Sequence, residues 1–219
     1  MTRCWPVLLA LGAIVTMPGV PPPLAAGPTR EEALAALADG SDVDNRRRGV
    51  MALGETGLMT DVPQLAGALR DADRLVRALA ENAMWQVWSR SGDEDVDRLF
   101  AVGVEQMNAR RGELAVETFT AIVQRRPEFA EGWNKRATVY YLLGAYQKSL
   151  DDCDEVMKRN PYHFGALSGY GLIYLELDQP AKALDYFQQA LRVNPNLESI
   201  RQTVETLKTL LIQRRKDTL

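Results

Sequence analysis

The chain offers few side chains that could carry out chemistry. It has 219 residues and a single histidine, His163, shortly after Pro161. A zinc site or a serine–histidine–aspartate triad would have to use that histidine. The sequence also lacks the motifs of zinc proteases, serine hydrolases and phosphate-binding loops. We therefore expect a protein without catalytic residues, metal or cofactor, and we place His163 in a partly exposed loop.

The segment DDCDE, residues 151–155, gathers four carboxylates around Cys153. On a helix, successive side chains point in different directions, so these carboxylates cannot enclose a calcium ion as a loop does. We interpret them as a solvated helix face, with a weak acidic contact surface as the alternative. Neighbouring aspartates raise the pKa of a thiol rather than lower it. Cys153 is accordingly predicted to be a buried, unreactive packing residue.

Composition limits the partners of the protein. Hydrophobic residues make up 46% of the chain, charged residues 25%, and the net charge is -3. Such a chain can form a core, but its overall charge gives no basis for holding nucleic acid. The run NRRR, residues 45–48, has no aromatic partners and is interpreted as a solvated helix start. We expect no nucleic-acid partner.

Residues 1–26 have the three-part plan of a secretory signal. Arg3 precedes an apolar run, WPVLLALGAIVTM, and small residues follow at Ala25 and Ala26. The run is shorter than the ~20 residues of a membrane-spanning helix. We expect cleavage near Ala26, a periplasmic or secreted location and no stable membrane insertion; an uncleaved anchor is the alternative. Cys4 would leave with this segment, so no internal disulfide could form.

A repeat runs through the second half of the chain. Pro127, Pro161 and Pro195 are evenly spaced. Proline ends a helix because it lacks the amide hydrogen, so each one marks the end of a unit. Gly112 and Gly144 are placed in the turns within units. Residues of matching type recur at the same register: Leu99, Trp133 and Leu167; Gly103, Ala137 and Gly171; Ala115, Ser149 and Ala183; Phe119, Cys153 and Phe187.

This pattern resembles the tetratricopeptide repeat, whose signature is W-x2-L-G-x2-Y, then A-x3-F, then P, with a period of about 34 residues. The middle unit departs from it at Arg136, where leucine is usual. The units are predicted at 96–129, 130–163 and 164–197, within a repeat region of 93–197. The residues that carry the resemblance in the middle and third units are Trp133, Ala137, Tyr140, Ser149, Pro161, Leu167, Tyr170, Gly171, Tyr174, Ala183, Phe187 and Pro195. The resemblance implies that the aromatics Trp133, Tyr140, Tyr170 and Tyr174 are packing residues.

Residues 27–92 have a different helical pattern. The stretches ALGETG and DVPQLAGALRDADRLVRALAENA resemble the HEAT repeat, with Ala52 and Ala83 at equivalent places. We expect this HEAT-like pair to cover the front edge of the array in one continuous solenoid. Residues 198–219 continue an apolar stripe of Leu197, Ile200, Val204, Leu207 and Leu211, predicted as a capping helix or as a surface for a homodimer.

The expected fold is all-α: a right-handed superhelical solenoid with a HEAT-like pair, three tetratricopeptide units and a C-terminal capping helix. In this family the first helices of the units line a concave groove that binds extended peptides or short helices. By the family's register, the groove residues are Phe100, Val104, Met107, Asn134, Thr138, Tyr141, Ser168, Leu172 and Leu175.

The resemblance implies a non-enzymatic adaptor or scaffold with a protein or peptide partner. Val104, Thr138 and Leu172 stand where a carboxylate-binding groove carries asparagine, so an apolar or aromatic partner segment fits better. The whole chain is similar to exported repeat proteins of alphaproteobacteria. The alternative is a self-associating structural component of the cell envelope that uses the C-terminal helix.

Overall fold

The computed structural model describes residues 27–217, and within that range the chain is all-helical, as predicted. The export signal predicted for residues 1–26 lies outside the described residues. A short 3-10 helix, Met59–Asp61, precedes α3. The α-helices are α1 Arg30–Leu37, α2 Val43–Thr56, α3 Val62–Ala68, α4 Arg74–Trp88, α5 Glu94–Asn108, α6 Gly112–Arg125, α7 Ala130–Leu142, α8 Tyr146–Arg159, α9 Phe164–Glu176, α10 Pro180–Val193 and α11 Glu198–Asp217.

Three helical hairpins, α5–α6, α7–α8 and α9–α10, form the repeat array. Each hairpin turn contains one residue in the left-handed conformation: Arg110 with φ 57°, Gly144 with φ 72° and Asp178 with φ 49°. These positions have the same spacing as the three prolines, so the turn repeats with the sequence. Only the middle unit has the residue type that adopts this conformation without strain. Gly112, predicted to lie in a turn, is instead the first residue of α6.

The small residues of the repeat register allow the two helices of a hairpin to pack closely. A Cβ atom added to Gly103 would lie 2.8 Å from the ring of Phe119, and one added to Gly171 would clash with the ring of Phe187. Both phenylalanines are fully buried. Two phenylalanines can therefore occupy these sites only because the facing residue is glycine.

Helix α11 covers the free side of α10. Val204 and Leu207 are buried with Ala183 and Phe187, in the manner expected of a capping helix. No helix among residues 27–217 combines the length and apolar character that crossing a membrane requires.

The N-terminal helices α1–α4 pack around a hydrophobic core that also includes Phe164 of α9, and they do not extend the stack beyond α5, which corrects the expectation of one continuous solenoid. They lie along the side of the array, against the turns that follow α8 and α10. The Asn196 amide donates to the Leu69 carbonyl at 2.8 Å, and the Trp88 ring stacks on His163. Trp85 and Trp88 of α4 pack against the rings of His163 and Phe164 at the turn after α8, which stabilises this placement.

Candidate binding groove

The first helices of the hairpins, α5, α7 and α9, carry the nine predicted groove residues. Five of these residues line one cleft between α7 and α9, with a volume of about 150 Å³: Asn134, Thr138, Tyr141, Ser168 and Leu172. Its remaining walls include the small or apolar residues Ala137, Gly165, Ala166 and Ile173. The sequence thus located residues that the fold brings together from two adjacent units.

The polar groups of this cleft are largely satisfied within the protein. The Thr138 hydroxyl donates to the Asn134 carbonyl at 2.9 Å, and the Ser168 hydroxyl donates to the Phe164 carbonyl at 2.8 Å. Leu172, by contrast, is 41% exposed. The cleft therefore offers apolar surface and hydroxyl oxygens that can still accept a hydrogen bond.

A second cleft, of about 560 Å³, lies between α5 and α7. It contains the predicted residues Met107 and Thr138, together with Leu142 and Leu143, which are 65% and 51% exposed. These two leucines were missed by the register argument because they lie past the last groove position of α7. The apolar run YYLL at the end of α7 could have identified them, because an exposed helix end usually carries polar residues.

Three predicted groove residues belong to packed clusters and line neither cleft. Phe100 is buried against Phe119 and Phe129, with ring centroids 5.9 and 5.4 Å apart. Val104 packs on the same cluster, and Leu175 packs beside α11. These side chains bury apolar area against neighbouring helices, which is more favourable than exposing it in a groove.

Tyr141 lies in the cleft, as predicted, but the neighbouring Tyr140 does not have the core-packing role that the register implies. Tyr141 packs on the cluster that contains Tyr170 and also lines the α7–α9 cleft, where its hydroxyl lies 3.4 Å from Glu176 Oε1. Burial and the charge of Glu176 raise the pKa of Tyr141. Tyr140 is half-buried and holds the cations of Arg136 and Lys148 over its ring. Its role is thus to support two charged side chains rather than to fill the core.

Arg136 stands where the repeat signature has leucine, and its ion pair with Asp152 explains how a charge is accommodated there. Its guanidinium donates two 2.8 Å hydrogen bonds to Asp152, which is 4% exposed. The interpretation of residues 151–155 as a solvated face is therefore wrong at Asp152, and Asp154 accepts a hydrogen bond from the Tyr170 hydroxyl. An arginine in a leucine position predicts a facing carboxylate, because a buried charge needs one.

Cys153 is buried, as predicted, with 2% of its surface exposed. Burial, together with the charges of Asp152 and Asp154, raises the pKa of its thiol to about 12. The thiol is therefore protonated near neutral pH. Because the thiolate is the reactive form, this environment disfavours a redox role.

The expectation of a partly exposed His163 is wrong, since this side chain is fully buried. Its Nδ1 accepts the Ala166 N–H at 3.0 Å, which assigns the proton to Nε2, 2.8 Å from Glu131 Oε2. The Trp88 ring stacks on the imidazole with centroids 4.5 Å apart. The turn at His163 is covered by a helix from a distant part of the chain, which the repeat pattern does not show.

Glu131 completes this buried junction. It is fully buried and also binds Lys135, with Nζ to Oε1 at 2.9 Å. Burial acts to raise the pKa of Glu131, but His163 and Lys135 together hold it below its usual value. We call the set of Trp88, Glu131, Lys135 and His163 the buried junction. It joins α4 to the second and third hairpins.

Stacked helical hairpins with a concave cleft define a solenoid repeat protein. The tetratricopeptide repeat family matches residues 128–196. The second and third hairpins, α7–α8 and α9–α10, therefore match tetratricopeptide repeats.

Two curated relatives match part of the chain. A TPR repeat-containing protein of Rhizobium etli is 28% identical over 120 residues, which is 55% of this chain and 59% of that protein. Hsp70-Hsp90 organizing protein 1 of Glycine max is 27% identical over 97 residues, 42% of this chain and 17% of that protein. The chain therefore spans less than two thirds of the length of either relative.

Solved structures share the fold of the repeat region. The first TPR of Spaghetti (RPAP3) bound to the HSP90 peptide SRMEEVD has a TM-score of 0.52 at 18% identity, covering 54% of this chain and 94% of that one. The Sgt2 TPR domain from Aspergillus fumigatus has a TM-score of 0.53 at 18% identity, covering 57% and 83%. At this identity the likeness concerns the fold alone.

Proposed function

We propose that this chain is a non-enzymatic adaptor that binds an extended or helical segment of a partner protein across α5, α7 and α9. The observation that carries the proposal is the pair of adjacent clefts that meet at Thr138. Together they form a path over three successive units. The peptide-bound TPR structure supports the proposal by showing what a related fold can do.

The composition of the clefts favours an apolar partner segment. Leu142 and Leu172 are exposed at the two clefts, while Lys135 is already paired with Glu131. Arg110 is the charged residue that lines the larger cleft in the described part of the chain. A groove with so few free cations is poorly suited to an acidic terminus, and it gains most from burying aromatic or aliphatic side chains.

A peptide display selection on the immobilised protein tests this proposal. We expect wild type to enrich short sequences with apolar or aromatic residues, and Leu172→Asp to lose that enrichment because it places a charge in the cleft. Leu114→Asp is the matched control, since Leu114 is 46% exposed on α6 and lines neither cleft. Enrichment that survives in Leu172→Asp, or a preference for acidic peptides, would contradict the proposal.

Self-association through α11 is the second candidate function. Leu210 and Ile212 are exposed on this helix, at 38% and 58%. Light scattering of the purified protein tests the idea. A dimer that Ile212→Asp converts to a monomer supports it, whereas a wild-type monomer at high concentration excludes it.

We also propose that the protein is exported, on the basis of the signal predicted at residues 1–26. N-terminal sequencing of protein from the native cell should find a mature chain that begins near Gly27. Recovery of a cytoplasmic chain beginning at Met1 would overturn this part and leave the groove proposal intact.

A further inference from the structure

A polar cleft lies where the N-terminal helices α1–α4, here called the N-terminal unit, meet the end of the repeat array. It is distinct from the two clefts of the candidate binding groove. Its volume is about 360 Å³. The first turn of α4 forms one wall and the first turn of α11 forms the other. Its lining residues are Arg74, Arg77, Ala78, Asn196, Glu198 and Arg201.

Three arginines at this cleft differ in how firmly they are held. Arg77 donates to Asn196 Oδ1 at 3.1 Å and to the backbone carbonyls of Asp71 and Ala72 at 2.8 and 3.1 Å. Arg201 donates to Glu198 at 2.7 Å and to the Pro195 carbonyl. Arg74 is exposed and makes no ion pair or hydrogen bond through its side chain within residues 27–217. Two guanidinium groups are therefore positioned in advance, and a third is free.

The charge of the cleft is not balanced from within. Glu198 offsets one of the three arginines, leaving two positive charges on a chain whose net charge is -3. Asp71 and Asp73 lie nearby in sequence, but Arg46 and Arg47 of α2 already bind them, at 2.8 and 2.7 Å.

The positions of these residues on their helices add to the positive potential. Arg74 and Arg77 lie in the first turn of α4, and Glu198 and Arg201 lie in the first turn of α11. A helix N-terminus carries a partial positive charge, and an arginine there is the unfavourable choice for stability. Asp73 caps α4 by accepting the Val76 N–H, and Glu198 lies in the first turn of α11, so each terminus already has one carboxylate. The arginines still add cationic charge at both termini, which a further anion would offset.

We propose that this cleft binds a phosphate group. A carboxylate has two oxygens and can be satisfied by one guanidinium group. A phosphate monoester presents three acceptor oxygens and nearly two negative charges. These match the free guanidinium of Arg74, the N–H groups that Arg77 and Arg201 do not use on protein acceptors, and the two uncompensated charges. The bearer is a soluble phosphorylated compound or a lipid headgroup, which share this chemistry.

Calorimetric titration with inorganic pyrophosphate at low ionic strength tests the proposal. We expect saturable binding with a Kd of about 1 mM or tighter, weakened at least about tenfold in the Arg74→Ser, Arg201→Ser double variant. Arg77 is left unchanged because it holds the N-terminal unit to the array. The matched control is Arg98→Ser on α5, an exposed arginine that pairs with Glu94 and Asp95 away from the cleft.

A second arm separates the two sources of phosphate. Vesicles of phosphatidylglycerol, compared with vesicles of phosphatidylcholine, are mixed with wild type and with the double variant in a flotation assay. Capture that is lost in the double variant assigns a lipid headgroup, and pyrophosphate binding without vesicle capture assigns a soluble ligand. The proposal is overturned if neither probe binds. It is also overturned if the double variant and Arg98→Ser bind each probe equally, since this would indicate a diffuse charge effect.

Discussion

The two long sides of the repeat array differ in their exposure to solvent. On the side of the inter-repeat turns, Glu131 and His163 are fully buried beneath the N-terminal unit. On the groove side, Thr138 is exposed and Leu142 is 65% exposed. All four residues belong to the second repeat or its closing turn. One hairpin thus presents a closed polar surface and an open, mostly apolar one.

This difference shows how the chain distributes its interactions. The buried junction satisfies its charges internally, because an unpaired charge at that depth is costly. The groove instead leaves apolar surface exposed, where a partner could bury it with a gain in free energy. In the second hairpin, the N-terminal helices α1–α4 therefore close the turn side and leave the groove side open to a partner.

Glu131→Ala should give the largest effect of the changes that test this contrast. It removes the acceptor of His163 and of Lys135 and leaves those groups without a partner. Breaking such a buried pair costs about 3–5 kcal/mol in the free energy of unfolding. Urea unfolding at neutral pH, followed by circular dichroism, measures the loss.

The matched control is Glu205→Ala on α11, which removes a carboxylate from an exposed pair with Lys208. Its unfolding midpoint should match wild type, since exposed pairs contribute little. If the two variants were equally stable, the buried junction would not hold the two units together.

The same carboxylate predicts an acid dependence of stability. The pKa of Glu131 is lower in the folded protein than its ordinary value of 4.5. Its contribution is therefore fully present above pH 4.5 and is lost as the pH falls through the folded pKa. Urea midpoints from pH 7 to pH 3 should fall more steeply for wild type than for Glu131→Gln. Parallel curves would show that Glu131 does not contribute to the dependence.

The two adjacent tyrosines provide a smaller contrast. Tyr141→Ala should cost about 2 kcal/mol because it removes a ring packed on the hydrophobic cluster that the second and third hairpins share. Tyr140→Ala should cost less than about 1 kcal/mol, since that ring packs on two charged side chains and does not fill the core. Thermal unfolding of both variants checks the order, and the reverse order would restore the assignment made from the repeat register.

Leu172→Ser should have the smallest effect on folding. The side chain is already 41% exposed, so its loss should change the free energy of unfolding by no more than about 0.5 kcal/mol. Peptide binding should nonetheless weaken in the same variant. A large drop in the unfolding midpoint would show that Leu172 supports the packing of α9 and is not a free contact.

Local pattern was enough to predict the hairpins and to identify five residues that line one cleft. The spacing of Pro127, Pro161 and Pro195 indicated where units end, and the register brought Asn134, Thr138 and three other residues into one cleft. Both inferences depend on contacts within a unit or between neighbouring units. Such contacts recur with the sequence period, so the period carries the information.

The placement of the N-terminal unit could not be predicted in this way. Helical periodicity shows that α4 has an apolar face, but it does not show which surface that face meets. The burial of His163 beneath Trp88 joins residues far apart in the sequence, in a contact that the repeat period does not describe. The charge of Arg136 in a leucine position predicts a facing carboxylate, and the structure identifies it as Asp152.

The glycine–phenylalanine contacts described above have an evolutionary consequence. In the first and third hairpins the volume is divided as glycine plus phenylalanine, whereas in the second it is divided as Ala137 plus Cys153. Enlarging Gly103 or Gly171 alone would force a clash, and enlarging Cys153 alone would crowd Ala137. Each pair shares one fixed space, so its two members can change readily only together. Descendants of this sequence should therefore show paired substitutions at these positions, in which one side chain grows as the other shrinks.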